Sequence, residues 1–153
     1  MTTIPLIYRL FFLYIEPVSA LAGAYYAAFR ADEYVRDLSL TSSRPLLSSL
    51  TTQHTMVLLQ LANLYLLFAL NEHLVLSSTT SLKTWRRLLF GLLVADFGHL
   101  YSMAPLGAEV FWRVWEWNAM CWGSVGFVYA GASMRMAFLA GVGLSGAERV
   151  KTK

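Results

Sequence analysis

Residues 88–103 read LLFGLLVADFGHLYSM. Apart from Asp96 and His99, every residue in this run suits a lipid environment. An ionised Asp at a bilayer centre costs roughly 2.5–3.5 kcal/mol on insertion scales. His99 follows Asp96 at i+3, so a helix carries both on one face. Ionisable residues inside membrane helices usually face the bundle interior and mark a functional path or site. The stretch therefore predicts a membrane helix with a polar site on its inner side.

The rest of the chain supports that environment. Of 153 residues, 57% are hydrophobic and 14% charged, with a mean hydropathy of +0.51. Soluble domains carry about 25% charged residues, so this chain has too few to cover a soluble surface. Membrane helices need about 20 apolar residues, and four segments qualify as candidates: 4–29, 52–76, 88–106 and 118–140. No connection between them is long enough for a soluble domain. The expected fold is all-α, a polytopic four-helix antiparallel bundle forming one integral-membrane domain over residues 1–153.

The net charge of +3 has a membrane explanation. Basic residues gather at Lys83–Arg87 and at Arg149, Lys151 and Lys153, as juxtamembrane clusters do beside an anionic leaflet. No basic stripe interleaved with stacking aromatics lies outside the helices, which argues against nucleic acid. Four crossings put Lys83, Arg86, Arg87 and the C-terminal basic residues on one side. Arg30, Arg36, Arg44 and Arg113 fall on the other. The bias places both termini in the cytosol, and the endoplasmic reticulum is the default membrane. Ala20-Leu21-Ala22 resembles a signal-cleavage site, but Glu16-Pro17 and Arg9 interrupt the apolar run before it. The first helix is therefore expected to be retained.

Each segment has a polar or close-packing face. In the first, Arg9, Glu16, Ala20, Gly23 and Ala27 fall on one stripe, and Gly23-x-x-x-Ala27 allows close helix approach. Pro17 should kink the helix. In the second, Gln53, Gln60, Asn63 and Asn71 project into one arc, a pattern typical of interhelical hydrogen bonding. Glu72 and His73 lie near its end, where water or headgroups reach. Trp85, Arg86 and Arg87 suggest an interfacial anchor, and the aromatic run around Trp112, Trp115 and Trp117 an interfacial belt. The fourth segment carries Asn118, Trp122, Val125, Tyr129 and Ser133 along one side.

Helical rise places Glu16, Asn63, Asp96 and Tyr129 at comparable depth, so a four-helix bundle would gather them on its axis. Two buried carboxyls in different surroundings can divide acid and base roles. The catalytic candidates are Glu16, Asp96 and His99, with His99 orienting Asp96 or accepting its proton. Asn63, Gln60, Tyr129 and Trp122 are candidate substrate-binding residues. No cofactor is implied. The three histidines, His54, His73 and His99, have no metal-ligand spacing, and phosphate-loop, dinucleotide and serine-elbow motifs do not occur. Cys121 is the only cysteine, which excludes an internal disulfide.

Several short runs carry a family likeness: Phe11-Phe12-x-x-x-Glu16-Pro17, Gly23-Ala24, Gln60-Leu61-x-Asn63-x-Tyr65, Asn71-Glu72, Trp85-Arg86, and Ala95-Asp96-x-Gly98-His99-Leu100-Tyr101-Ser102. Across nearly the whole chain they resemble a fungal family of small integral-membrane proteins, known chiefly as a domain of unknown function. Some of its members are associated with secondary-metabolite pathways. In architecture alone the chain is similar to EXPERA-type sterol isomerases and to fungal membrane meroterpenoid cyclases. The expectation is a membrane enzyme that isomerises or cyclises a hydrophobic terpenoid or polyketide-derived substrate by acid–base chemistry. A non-catalytic scaffold for other membrane-bound pathway enzymes is the alternative, and a transporter subunit a third.

Overall fold

The computed structural model describes residues 4–38, 40 and 50–144, and these form helices and turns with no strand among them. The first long helix, α1 (Leu6–Phe29), contains one π-helical turn at Phe11–Ile15. A short helix, α2 (Ala31–Asp37), follows it. Helices α3 (Thr52–Ser77) and α4 (Leu82–Met103) are joined by a tight turn. After 3-10 turns between Ala104 and Glu116 comes α5 (residues 119–139), with a second π-turn at Trp122–Gly126.

Local chemistry sets these boundaries. The Thr51 hydroxyl accepts from the His54 amide, Ser81 from the Thr84 amide, and the Asn118 side chain from the Cys121 amide. Each supplies the side-chain acceptor that a helix N-terminus requires. At the far end of α5 the chain turns through Gly141, whose φ of 82° suits glycine. The Tyr8 hydroxyl then ties that turn to α1 by donating to the Val142 carbonyl at 3.0 Å.

Helix α1 packs along α3, and α4 packs along α5. Contact between α3 and α4 is sparse away from their connecting turn. One end of the molecule is closed by Tyr8, Phe12, Leu76, Trp85, Leu89 and Phe138. The other end is closed by Met103, Val110, Trp117, Cys121 and Val125. The outward faces stay apolar, with Ile7, Phe29, Leu74 and Phe90 all more than half exposed.

Three helices, α1, α3 and α4 with its extension to Leu106, are long and apolar enough to cross a membrane. The expected fourth is not among them. Arg135 sits within α5, and two serines and several glycines dilute its hydropathy further.

Three local expectations also change. Arg9 is exposed and does not share a face with Glu16. The π-turn between them adds a residue to the turn and rotates the following helix by about 100°. Trp85 is fully buried, its indole N–H donating to the Thr79 carbonyl at 2.9 Å, so it is a core residue and not an anchor. The aromatic belt divides: Trp112 and Trp115 face outward, whereas Trp117 is buried and donates to the Val110 carbonyl. Arg44, Leu46, Leu47 and the C-terminal basic residues lie outside the described residues.

Candidate active site

At the centre of the molecule lies a guanidinium that the sequence reading overlooked. Arg135 is fully buried and reaches one carboxyl from each of the three long helices. Its Nη1 donates to Asp96 Oδ2 at 2.6 Å. Its Nη2 meets Glu16 Oε1 at 2.8 Å and Glu72 Oε1 at 3.2 Å. The guanidinium also lies 5.6 Å from the centroid of the Phe12 ring and 5.5 Å from that of Phe68. These rings add cation–π attraction where water is excluded.

Gly131 makes this arrangement possible. It stands one helical turn before Arg135, on the same face. A Cβ at Gly131 would lie 2.7 Å from Glu16 Oε1 and 2.9 Å from Arg135 Nη1. The ion pair thus occupies the space that a side chain would take. An isolated charge there would be prohibitively costly, so the cluster persists only because its members compensate one another. Three atoms still lack a partner in the buried shell: Glu16 Oε2, Glu72 Oε2 and Arg135 Nε.

Beside the cluster is a cavity of about 750 Å³. That is the size of a pocket for a drug-sized molecule. Glu16 and Asp96 belong to both the cluster and the cavity wall, while Glu72 and Arg135 lie behind them. Leu64, Leu67, Phe68 and Leu92 make much of the wall apolar. Leu64 and Leu67 line the cavity and are also more than half exposed, so it opens sideways along α3.

His99 also lines the cavity, but it does not bind Asp96. Its Nε2 donates to the Ser124 carbonyl at 2.9 Å. A carbonyl can only accept, so Nε2 carries the hydrogen, and in the neutral ring Nδ1 is left as an acceptor. The expected His99–Asp96 pairing fails because Arg135 is the stronger partner for a buried carboxylate.

The other sequence candidates lie elsewhere. Asn63 is exposed and lines a shallow groove with Ala24, Tyr25 and Ala28 on the outer side of α3. Gln60 is exposed too. Tyr129 donates to the Phe111 carbonyl at 3.1 Å, and Trp122 packs edge-on against Trp117 with 54% exposure. The structure brings none of these four to the cavity wall. Of the α3 amides, Asn71 does reach it. Glu72, expected near water, is fully buried in the cluster.

The family described as Domain of unknown function (DUF7704) matches residues 1–145. The chain belongs to this family. Its match spans all five helices, including each member of the ion cluster. No curated protein and no solved structure matches the chain. For this DUF7704 protein, function therefore has to be argued from the cavity and the groups around it.

Arg135 could have been found from the sequence. A single arginine set in GASMRMAFL, between apolar neighbours, has the same character as Asp96 in its own segment. Glu72 had no comparable signal, because its position near the end of a long apolar run reads equally well as interfacial.

Proposed function

We propose that this protein is a small integral-membrane enzyme that isomerises or cyclises a hydrophobic substrate by acid–base chemistry. The observation that carries this reading is the shared position of Glu16 and Asp96, which join the ion cluster and also form cavity wall. Three carboxyl groups face one guanidinium. An electrically neutral cluster therefore holds two protons, and burial favours neutrality. With one of these protons on Glu72, behind the wall, Glu16 and Asp96 present one carboxylic acid and one carboxylate to the cavity.

In this mechanism one carboxylic acid adds its proton to an alkene carbon of the bound substrate. The carboxylate, or Nδ1 of His99, removes a proton from an adjacent carbon of the resulting cation. The double bond shifts, atoms and charge balance, and no oxidant is required. When a second alkene lies within reach, the cation closes a ring before the proton leaves. The apolar walls exclude water that would otherwise capture the cation.

The same reading has α5 crossing the membrane as a fourth helix. Alone, a helix with an uncompensated arginine inserts poorly. Compensated by three carboxyls, Arg135 no longer presents an open charge to lipid. The substrate class is terpenoid or polyketide-derived, as the likeness to fungal secondary-metabolite proteins implies. The location is the endoplasmic reticulum membrane with both termini cytosolic, and other membrane-bound pathway enzymes are partners.

The test is the metabolite profile of a deletion strain. An enzyme leaves one lipid-like precursor accumulating in its unisomerised or uncyclised form. A scaffold instead lowers several pathway products together, and that outcome would replace the catalytic reading.

A further inference from the structure

A second polar station lines the same cavity. The Tyr34 and Tyr65 hydroxyls lie 3.0 Å apart, and both rings form cavity wall. Ser124 lines the same cavity. The His99 ring lies 6.5 Å from the Tyr65 ring, centroid to centroid. Gly23 holds this station in place, because the Tyr65 ring lies 3.4–3.6 Å from where a Cβ at Gly23 would stand. The Tyr65 ring thus rests against the α1 backbone.

The groups of this station are neutral, unlike those of the carboxyl cluster. When one tyrosine donates to the other, lone pairs remain on both oxygens and one hydroxyl hydrogen remains to be placed. His99 Nδ1 adds an acceptor. Such a set satisfies a neutral oxygen, which accepts and in the case of an alcohol also donates. It offers no charge to match a carboxylate or an ammonium. Asp37, also on the wall, is paired with Arg36 at 2.8 Å.

The spacing from the acid cluster follows from the helices. Tyr65 and Glu72 are seven residues apart on α3, or about 10 Å along the axis. Glu16 and Gly23, which contacts Tyr65, have the same separation on α1. The apolar wall lies between the two stations.

We infer that the Tyr34–Tyr65 pair is a recognition subsite for a single neutral hydroxyl or keto oxygen, carried about 10 Å from the reacting carbons of a rigid apolar substrate. The inference rests on the acid–base reading for what happens at the far end, but binding at this subsite is measurable without turnover. Ligand discrimination is expected because a site built to hydrogen-bond an oxygen is left with unpaired polar groups when that oxygen is missing.

The experiment uses the full chain in lipid nanodiscs with two probes that differ by one oxygen, 5α-androstan-3β-ol and 5α-androstane. Equilibrium binding is measured for wild type, Tyr65→Phe, Tyr34→Phe and Asp96→Asn. Wild type is expected to bind the alcohol about 10-fold more tightly than the hydrocarbon, the discrimination of roughly one good hydrogen bond. Tyr65→Phe removes one oxygen and keeps the ring, and should bring the two affinities to within about 2-fold. Tyr34→Phe should do the same, whereas Asp96→Asn should keep the preference. The subsite is overturned if Tyr65→Phe retains the full preference, or if wild type binds neither probe or both equally. Loss of turnover in Asp96→Asn, with the preference intact, supports both proposals. Full turnover in Asp96→Asn and Glu16→Gln, with the preference intact, removes the catalytic reading alone.

Discussion

His73 stands 2.7 Å, through Nδ1, from the backbone carbonyl of Leu13. That carbonyl is the one Pro17 would serve in a regular helix, and Pro17 has no N–H to give. The surrounding turn relaxes to a π-turn at Phe11–Ile15, with the Glu16 amide bonding to the Phe11 carbonyl. A histidine from the neighbouring helix then fills the vacancy. The other π-turn repeats the arrangement, where His99 donates to the Ser124 carbonyl within Trp122–Gly126. Membrane helices tolerate such breaks only where neighbours re-satisfy the freed backbone. Two of the three histidines thus hold the bends that set the phases of Glu16 and Arg135.

A double-mutant cycle tests the first of these pairs. His73→Ala should cost about 1–3 kcal/mol by leaving the Leu13 carbonyl unpaired. In a Pro17→Ala background the chain regains an amide for that carbonyl, and the cost of His73→Ala should fall. Detergent-solubilised thermal unfolding reads both values. Equal costs in the two backgrounds would separate His73 from the proline break.

Removing Arg135 should be severe. Arg135→Leu leaves carboxyls from three helices without their cation, and breaking a buried ion pair from one side costs about 3–5 kcal/mol. Steady-state abundance in membranes should collapse. Adding Glu16→Gln and Glu72→Gln to Arg135→Leu should recover part of it, because the surplus charge goes with the acids. If Arg135→Leu accumulates at the wild-type level, the cluster does not hold the bundle together.

Gly131→Ala places a methyl on the Arg135–Glu16 pair, at 2.7 Å from Glu16 Oε1. Overpacking of this kind costs about 1–3 kcal/mol. Gly98→Ala is the control, since nothing lies within 4 Å of its added Cβ. It should change stability by no more than about 0.5 kcal/mol. A comparison of melting temperatures decides between local crowding and a general intolerance of helix glycines to substitution.

Asp96→Asn separates proton transfer from packing. The amide is nearly isosteric and can still accept from Arg135 Nη1, but it cannot cycle a proton. The variant should accumulate close to normally and lose at least about 100-fold in product formation by microsomes. Glu16→Gln should follow it. His99→Gln should give a smaller loss, combining a weakened Ser124 contact with the missing acceptor. Turnover near wild type in both amide variants would leave the scaffold reading in front.

Topology is open to direct mapping. If α4 and α5 both cross the membrane, glycosylation acceptors inserted near Gly107 and between residues 38 and 50 should both be modified. Tags at both termini should report the cytosol. An unmodified Gly107 site beside a modified 38–50 site would show that the chain does not return to the luminal side after α4.

The apolar stretches, their lengths and the mismatch of Asp96 and Glu16 with lipid were legible in the amino-acid order. Each depends on the transfer energy of a residue from water, which is local and additive along a segment. The shared face of Asp96 and His99 on α4 was legible because that helix is regular and its phase runs unbroken, and both line the cavity. The face of α1 was not, because a π-turn between Arg9 and Glu16 shifted the phase. That turn depends on a histidine more than fifty residues away.

The partner of the acids was likewise a tertiary matter. Hydropathy registers that Glu16, Glu72, Asp96 and Arg135 are costly, but not which of them meet. Four helices had to pack, and a glycine at 131 had to leave space, before one guanidinium could reach three carboxyls. Asn63 and Gln60 show the converse. Their spacing along α3 resembles an inner face, but α1 packs onto the side that carries Leu58 and Ala62, and Gln60 and Asn63 stay exposed beside that seam. A helix has one periodicity and several available neighbours, and only packing chooses among them.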